Sequence, residues 1–211
     1  MLYNGFGEHN IQGIGDKHIP LIHNVYNTDV VTAVSDQATD HLSVLFSSPA
    51  GLAYLAERRN VPQEVLEALS SFGLSSICNI VAAVKTAKYL DLGPGDVVAT
   101  VATDGAEMYG SERTKILARD FPAGFDAVDA GEAFGRWMLA AGTDHLVETT
   151  KRDRERIFDL GYFTWVEQQG LSFEDFVARR EASFWSELRG KLPVWDEMIK
   201  EFNSRSGVRV P

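Results

Sequence analysis

One cysteine, Cys78, in 211 residues excludes an intrachain disulfide framework and suits a reducing compartment. Basic residues are also scarce. Twenty Lys and Arg against thirty Asp and Glu leave a net charge of −10, which disfavours a nucleic-acid backbone or an anionic membrane as partner. No run is apolar enough to span a bilayer. The opening MLYNGFGEHN has neither a basic n-region nor an apolar h-region and reads as no signal peptide. The expectation is a cytoplasmic protein. There is no internal repeat, no low-complexity tract, no GxxxxGK[ST] and no HExxH. What is present is 45% apolar residues, enough for a real core.

The first half alternates strand-like and helix-like pieces. VVTAV, from Val30 to Val34, reads as a short buried strand. Ser35 or Asp36 then caps a helix through DQATDHLSVLF, with Ala38, Leu42, Leu45 and Phe46 on its packing face. Ser48 followed by Pro49 is a second start signal, and Asn60-Val61-Pro62 opens a third helix, QEVLEAL. Ser75 or Ser76 caps a long apolar helix carrying Ile77, Ile80, Val81, Val84 and Ala87 at helical spacing. GPGD at 93–96 marks a tight turn into VVATVAT at 97–103, the best candidate for a central strand.

The expected fold is therefore α/β, an open and mostly parallel sheet flanked by helices over residues 1–111. Residues 112–211 read as a helical C-terminal extension, with Ser172 a plausible N-cap. All four tryptophans, Trp137, Trp165, Trp185 and Trp195, lie there, either to bury the extension's own face or to clamp another chain.

Three places invite chemistry. Thr103-Asp104-Gly105 follows the candidate strand, where open α/β sheets bind ligands, although the same residues also suit a capped strand-to-helix turn. Gly73-Leu74-Ser75-Ser76 opens the apolar helix and could hold a phosphate or serve as a plain N-cap. His9, Asp16, His18, His23 and Asp29 are acceptable zinc or iron ligand types, but their spacing matches no compact site. Cys78, among Ile77, Asn79 and Ile80, reads as a small buried hydrophobe rather than a nucleophile.

Four stretches in order resemble the second half of a fold-type II pyridoxal-phosphate enzyme of the cysteine synthase and cystathionine β-synthase kind. IQGIGDKHIP (11–20) is similar to the family's "EGIG…IP" segment, and VVTAVSDQAT (30–39) falls where the family has "…VSSDEAI". GLSSICN (73–79) resembles "GISSGAA", and VATDGAEMYGS (101–111) resembles "LPDSGERYLS". The resemblance implies pyridoxal 5'-phosphate as cofactor, with Gly13, Ile14, Gly15, Gly73, Ser75, Ser76, Thr103, Asp104 and Gly105 lining its site. Gly105 stands where the family has its ring-nitrogen serine, and Ile77 where it has a glycine.

The family's Schiff-base lysine domain precedes the first of these stretches and has no counterpart here. Lys17, Lys85 and Lys88 do not replace it, and Lys85 and Lys88 read as solvent-facing. The resemblance thus implies one subunit of a split lyase or transferase carrying out β-elimination or β-replacement on an amino-acid substrate. A lysine-domain partner would complete the site in a hetero-oligomer. The alternative is a non-catalytic binding or regulatory half-domain, or an inactive fragment of such an enzyme.

Overall fold

The computed structural model describes residues 3–11, 14 and 16–207. It is a helical protein. The sheet found among the described residues has two short antiparallel strands, β1 (Val30–Thr32) and β2 (Leu146–Glu148), with Val31 opposite Val147. This overturns the expected open, mostly parallel sheet and, with it, the likeness to the fold-type II pyridoxal-phosphate enzymes. VVTAV does begin as a strand, but its neighbour comes from far along the chain and runs antiparallel. VVATVAT is not a strand. It is exposed and forms no ladder with any described residue. A short apolar run carries no information about whether a neighbour exists to pair with it.

The described residues fall into two compact units. The larger comprises those up to Lys17 together with Asp29–Thr149. Its centre is α1 (Asp36–Ser47), capped by Ser35, whose hydroxyl accepts from the Gln37 N–H. Ser48 caps α2 (Pro49–Arg59), with proline in the first turn, where its missing N–H costs nothing. α3 (Gln63–Leu69) follows, then α4 (Leu74–Tyr89), α5 (Gly110–Asp120) and α6 (Ala127–Phe134), the last continuing into a π-turn, Gly135–Leu139. Helices α2, α4, α5 and α6 all pack on α1. The core joins Leu42, Leu45 and Phe46 of α1 to Leu55, Leu66, Ile77, Val81 and Ala130.

α4 begins earlier than expected. Its N-cap is Gly73, so Ser75 and Ser76 lie inside the first turn rather than before it.

The smaller unit comprises His18–Thr28 and the described residues from Thr150 onward. It holds α7 (Lys151–Asp159), a π-turn (Phe163–Gln168), α8 (Phe173–Ala178), α9 (Ala182–Gly190) and α10 (Leu192–Ser206). Thr150 and Asp153 form a reciprocal capping box, and Ser172 caps α8. Its core is aromatic: Phe158 packs on Phe176 and Tyr26, with Arg179 stacked over both phenylalanine rings. Burial holds the Arg179 guanidinium below its ordinary value. Among the described residues no helix is long and apolar enough to cross a membrane.

The turn between α1 and α2 permits one sharp test. A Cβ on Gly51 would lie 2.0 Å from the Leu45 carbonyl oxygen, which is rigid helix backbone. Gly51→Ala should therefore destabilise the chain by about 1–3 kcal/mol or more, despite alanine's better helix propensity. Chemical denaturation reads this, and an unchanged midpoint would contradict the packing.

Candidate functional site

Six of the expected site residues meet at the N-terminus of α4. The Thr103 N–H donates to Ser76 Oγ at 2.8 Å, and the Ser75 and Thr103 hydroxyls are hydrogen-bonded to each other. Ser75 and Ser76 are fully buried. Beside them, residues 71–73 clasp residues 104–106: the Gly73 N–H donates to the Asp104 carbonyl at 3.0 Å, and the Ala106 N–H to the Ser71 carbonyl at 2.8 Å. Tyr109 closes the clasp by donating its hydroxyl to Asp104 Oδ2 at 3.0 Å. Gly73 is required here because a Cβ would stand 2.5 Å from the Asp104 carbonyl oxygen and 2.6 Å from the Tyr109 ring. Of the remaining expected residues, Ile14 sits in an exposed turn, and Gly13 and Gly15 lie outside the described residues.

This arrangement corrects the cofactor reading. The hydroxyls expected to line a pyridine site face one another, and among the described residues the two-stranded antiparallel sheet supplies no crevice beyond parallel strand ends. This fold does not support the pyridoxal-phosphate lyase or transferase activity or the split-enzyme role that the resemblance implies. Among the described residues, no group of three or more His, Cys, Asp and Glu is placed to hold a metal. His9 Nε2 is instead 2.8 Å from the Asp16 carbonyl, and His23 Nε2 3.1 Å from Thr28 Oγ1.

The clasp anchors a longer feature. From the GPGD turn, where the Asp96 N–H donates to Gly93 O, the chain runs without helix or strand through residues 97–102 to Thr103. Over 97–102 no backbone–backbone hydrogen bond forms among the described residues, and the one side-chain contact is Asn79 Nδ2 to the Val101 carbonyl at 2.9 Å. Val97 is 91% exposed and Val101 65%. An anchored, β-branched segment with a bare backbone is the chemistry of a sheet edge.

Sequence reasoning missed a polar cleft of about 500 Å³ lined by Glu8, His9, Asn10, Asp36, Asp40 and Arg119. Asp40 is only 1% exposed; Arg119 donates to its Oδ2 at 2.7 Å and Asn10 to its Oδ1 at 2.7 Å. Arg119 also holds Asp120, which lies 3.2 Å from His41 Nε2, and Trp137 donates to His41 Nδ1. With Nδ1 accepting, neutral His41 carries its proton on Nε2 and donates to Asp120. Burial pushes the Asp36 carboxyl up, an effect opposed by the Asn10 N–H and reinforced by Asp40. The sequence signal was available: Asp36 and Asp40 are one helical turn apart and are the two carboxylates of a helix whose packing face is apolar.

Lys85 is another correction. It is buried, donating to the Ala33 carbonyl at 2.9 Å, with Asp144 3.8 Å away. Lys88 reaches the Leu139 and Ala141 carbonyls. Comparison with protein-family models, with curated proteins and with solved structures gives no match.

Two measurements follow from the site. Hydrogen bonding from Arg119 holds the Asp120 carboxyl below the usual carboxylate range. Such a group contributes stability that is present above its unfolded pKa and lost as pH falls through the folded one. The Tm gap between wild type and Asp120→Asn should thus be widest near neutral pH and close below about pH 4. Cys78, whose thiol burial and then the Asp36 charge push up to about 11, should react with a disulfide reagent about 100-fold more slowly folded than unfolded at about pH 8. Equal rates would place the thiol in solvent.

Proposed function

We propose that the chain is the helical member of a hetero-oligomeric assembly, docked through residues 97–103. That segment adds a strand to the open sheet edge of a different polypeptide. The observation that carries this reading is the exposed run whose backbone groups over 97–102 lack ladder partners.

The composition of the segment supports a particular kind of partner. Val97, Ala99 and Val101 alternate with Val98, Thr100 and Ala102, so both faces are apolar or small. Such a strand suits a sheet covered on both faces. Two copies pairing with each other would make only a two-stranded ribbon, which is marginal in water. A partner with a sheet of its own supplies the missing neighbours and cover. The net charge of −10 favours a protein over a nucleic acid, and the single cysteine favours a cytoplasmic setting.

Ala99→Pro tests the reading. Proline removes a ladder donor, while in the free chain the Ala99 N–H bonds to no described residue. The isolated variant should keep its Tm to within about 1 °C per few tenths of a kcal/mol. The native assembly should lose the chain by native mass spectrometry. In the wild-type assembly, amides 97–102 should exchange far more slowly than in the free chain. Amides that remain unprotected, an assembly that tolerates the proline, or a chain that is monomeric in its native extract would each overturn the proposal.

A further inference from the structure

A second bare surface, independent of the docking segment, lies on α10. Leu192, Trp195, Ile199 and Phe202 follow the alternating three- and four-residue spacing of a heptad seam. They are 50, 43, 56 and 68% exposed, and none belongs to a buried cluster. Away from the seam Lys200 binds Glu197 at 2.7 Å and Val194 is 60% exposed, and Glu201 lies 3.6 Å from Arg205 on the flank. Trp195 differs from the other tryptophans. Trp137, Trp165 and Trp185 each donate their ring N–H to a partner, and Trp195 is the exposed one.

We infer that α10 pairs in parallel, in register, with α10 of a second copy of this chain. Charge sets both the occupant and the direction. Lys191 and Met198 flank the seam on one side, with Arg205 after them; Asp196 and Asn203 flank it on the other. Neither Lys191 nor Asp196 forms an ion pair with any described residue. In a parallel pair, each flanking residue on the first side meets the residue five positions later on the second side of its neighbour. Lys191 then meets Asp196 of the second copy, twice by symmetry. In an antiparallel pair the like flanks meet, and Lys191 would oppose Arg205 of the second copy. The helix carries charges that reward one orientation and penalise the other.

A helix of fifteen residues is about 22 Å long, so the pair buries less than a standard interface of roughly 1,600 Å². The association is accordingly weak and concentration-dependent. Sedimentation equilibrium of the full chain from about 10 µM to about 500 µM should show a monomer–dimer equilibrium. Ile199→Asp should leave a monomer throughout, with an unchanged circular dichroism spectrum and Tm, because the side chain is exposed in the single chain.

Lys191→Glu should weaken association roughly three- to tenfold, and adding Asp196→Lys should restore it. In a Cys78→Ser background, Ser206→Cys on the seam should oxidise to a covalent dimer, since parallel register brings like residues together. A wild-type chain that stays monomeric to the highest concentration, a dimer indifferent to Ile199→Asp, or a dimer in which Ser206→Cys fails to cross-link would each overturn the inference. Ala99→Pro should leave this self-association intact, so the two surfaces fail or succeed separately.

Discussion

Helix α1 must be covered on several sides at once, and the larger unit is arranged to do so. Ala38, Thr39, Asp40, Leu42, Val44, Leu45 and Phe46 are all buried, an arc far wider than the single stripe of a surface helix. α2, α4, α5 and α6 provide that cover, and Gly51 allows α2 to start hard against the end of α1. The same central position carries Asp40 inside. A carboxylate without solvent is tolerable only when charge and hydrogen bonds replace the water it loses. Arg119 at the end of α5 and Asn10 from the N-terminal segment replace it, and in doing so they tie those elements to α1. The polar cleft therefore borders an ion pair in which Asp40 is buried and Arg119 reaches solvent.

α4 shows the opposite balance. Its N-terminus is closed by the clasp between residues 71–73 and 104–106, and by the hydroxyls of Ser75, Ser76 and Thr103 satisfying one another. At its C-terminal end Lys88 reaches the carbonyls that follow the π-turn. Between these two fixed points the returning chain, residues 97–103, pairs with no strand among the described residues; β1 pairs with β2 instead.

Local chemistry was legible in the sequence; pairing at a distance was not. The caps at Ser35, Ser48-Pro49 and Ser172 each depend on a few adjacent residues, and the helices they start are where the sequence indicates. The GPGD turn is local too. Whether VVATVAT becomes a strand depends on a neighbour that the segment itself cannot specify. The likeness to the pyridoxal-phosphate enzymes rested on such local pieces, a glycine before Ser-Ser and an Asp-Gly after an apolar run, and these serve equally well in a clasp between a helix start and a loop. Six of those residues do meet, but in a clasp that satisfies its own hydroxyls and carbonyls, within an architecture other than the one inferred. Arg119 and Asp40 are 79 residues apart, and nothing in either neighbourhood points to the other. Lys85 was misread because an amphipathic stem inside an apolar helix can turn its ammonium either to water or to a carbonyl.

The distribution of unsatisfied groups bears on what the exposed elements are for. Among the described residues, the buried side-chain polar atoms left without a partner are Asn10 Oδ1 and Thr32 Oγ1. A chain that satisfies its buried polar groups this thoroughly is not poorly packed in general. Exposed apolar side chains occur in both units, and two groups among them are contiguous: Val97, Val98 and Val101 in the larger, and Leu192, Trp195, Ile199 and Phe202 along α10 in the smaller. The helix group has the seven-residue periodicity of a seam, which scattered surface hydrophobes do not have, and the segment is apolar or small at every position. The two proposed docking surfaces differ in kind. Backbone hydrogen bonds can be completed by any sheet with a free edge, so that segment depends on a partner's architecture. The helix seam depends on side-chain shape and flanking charge, so it can distinguish a second copy of itself, and its direction, from other helices.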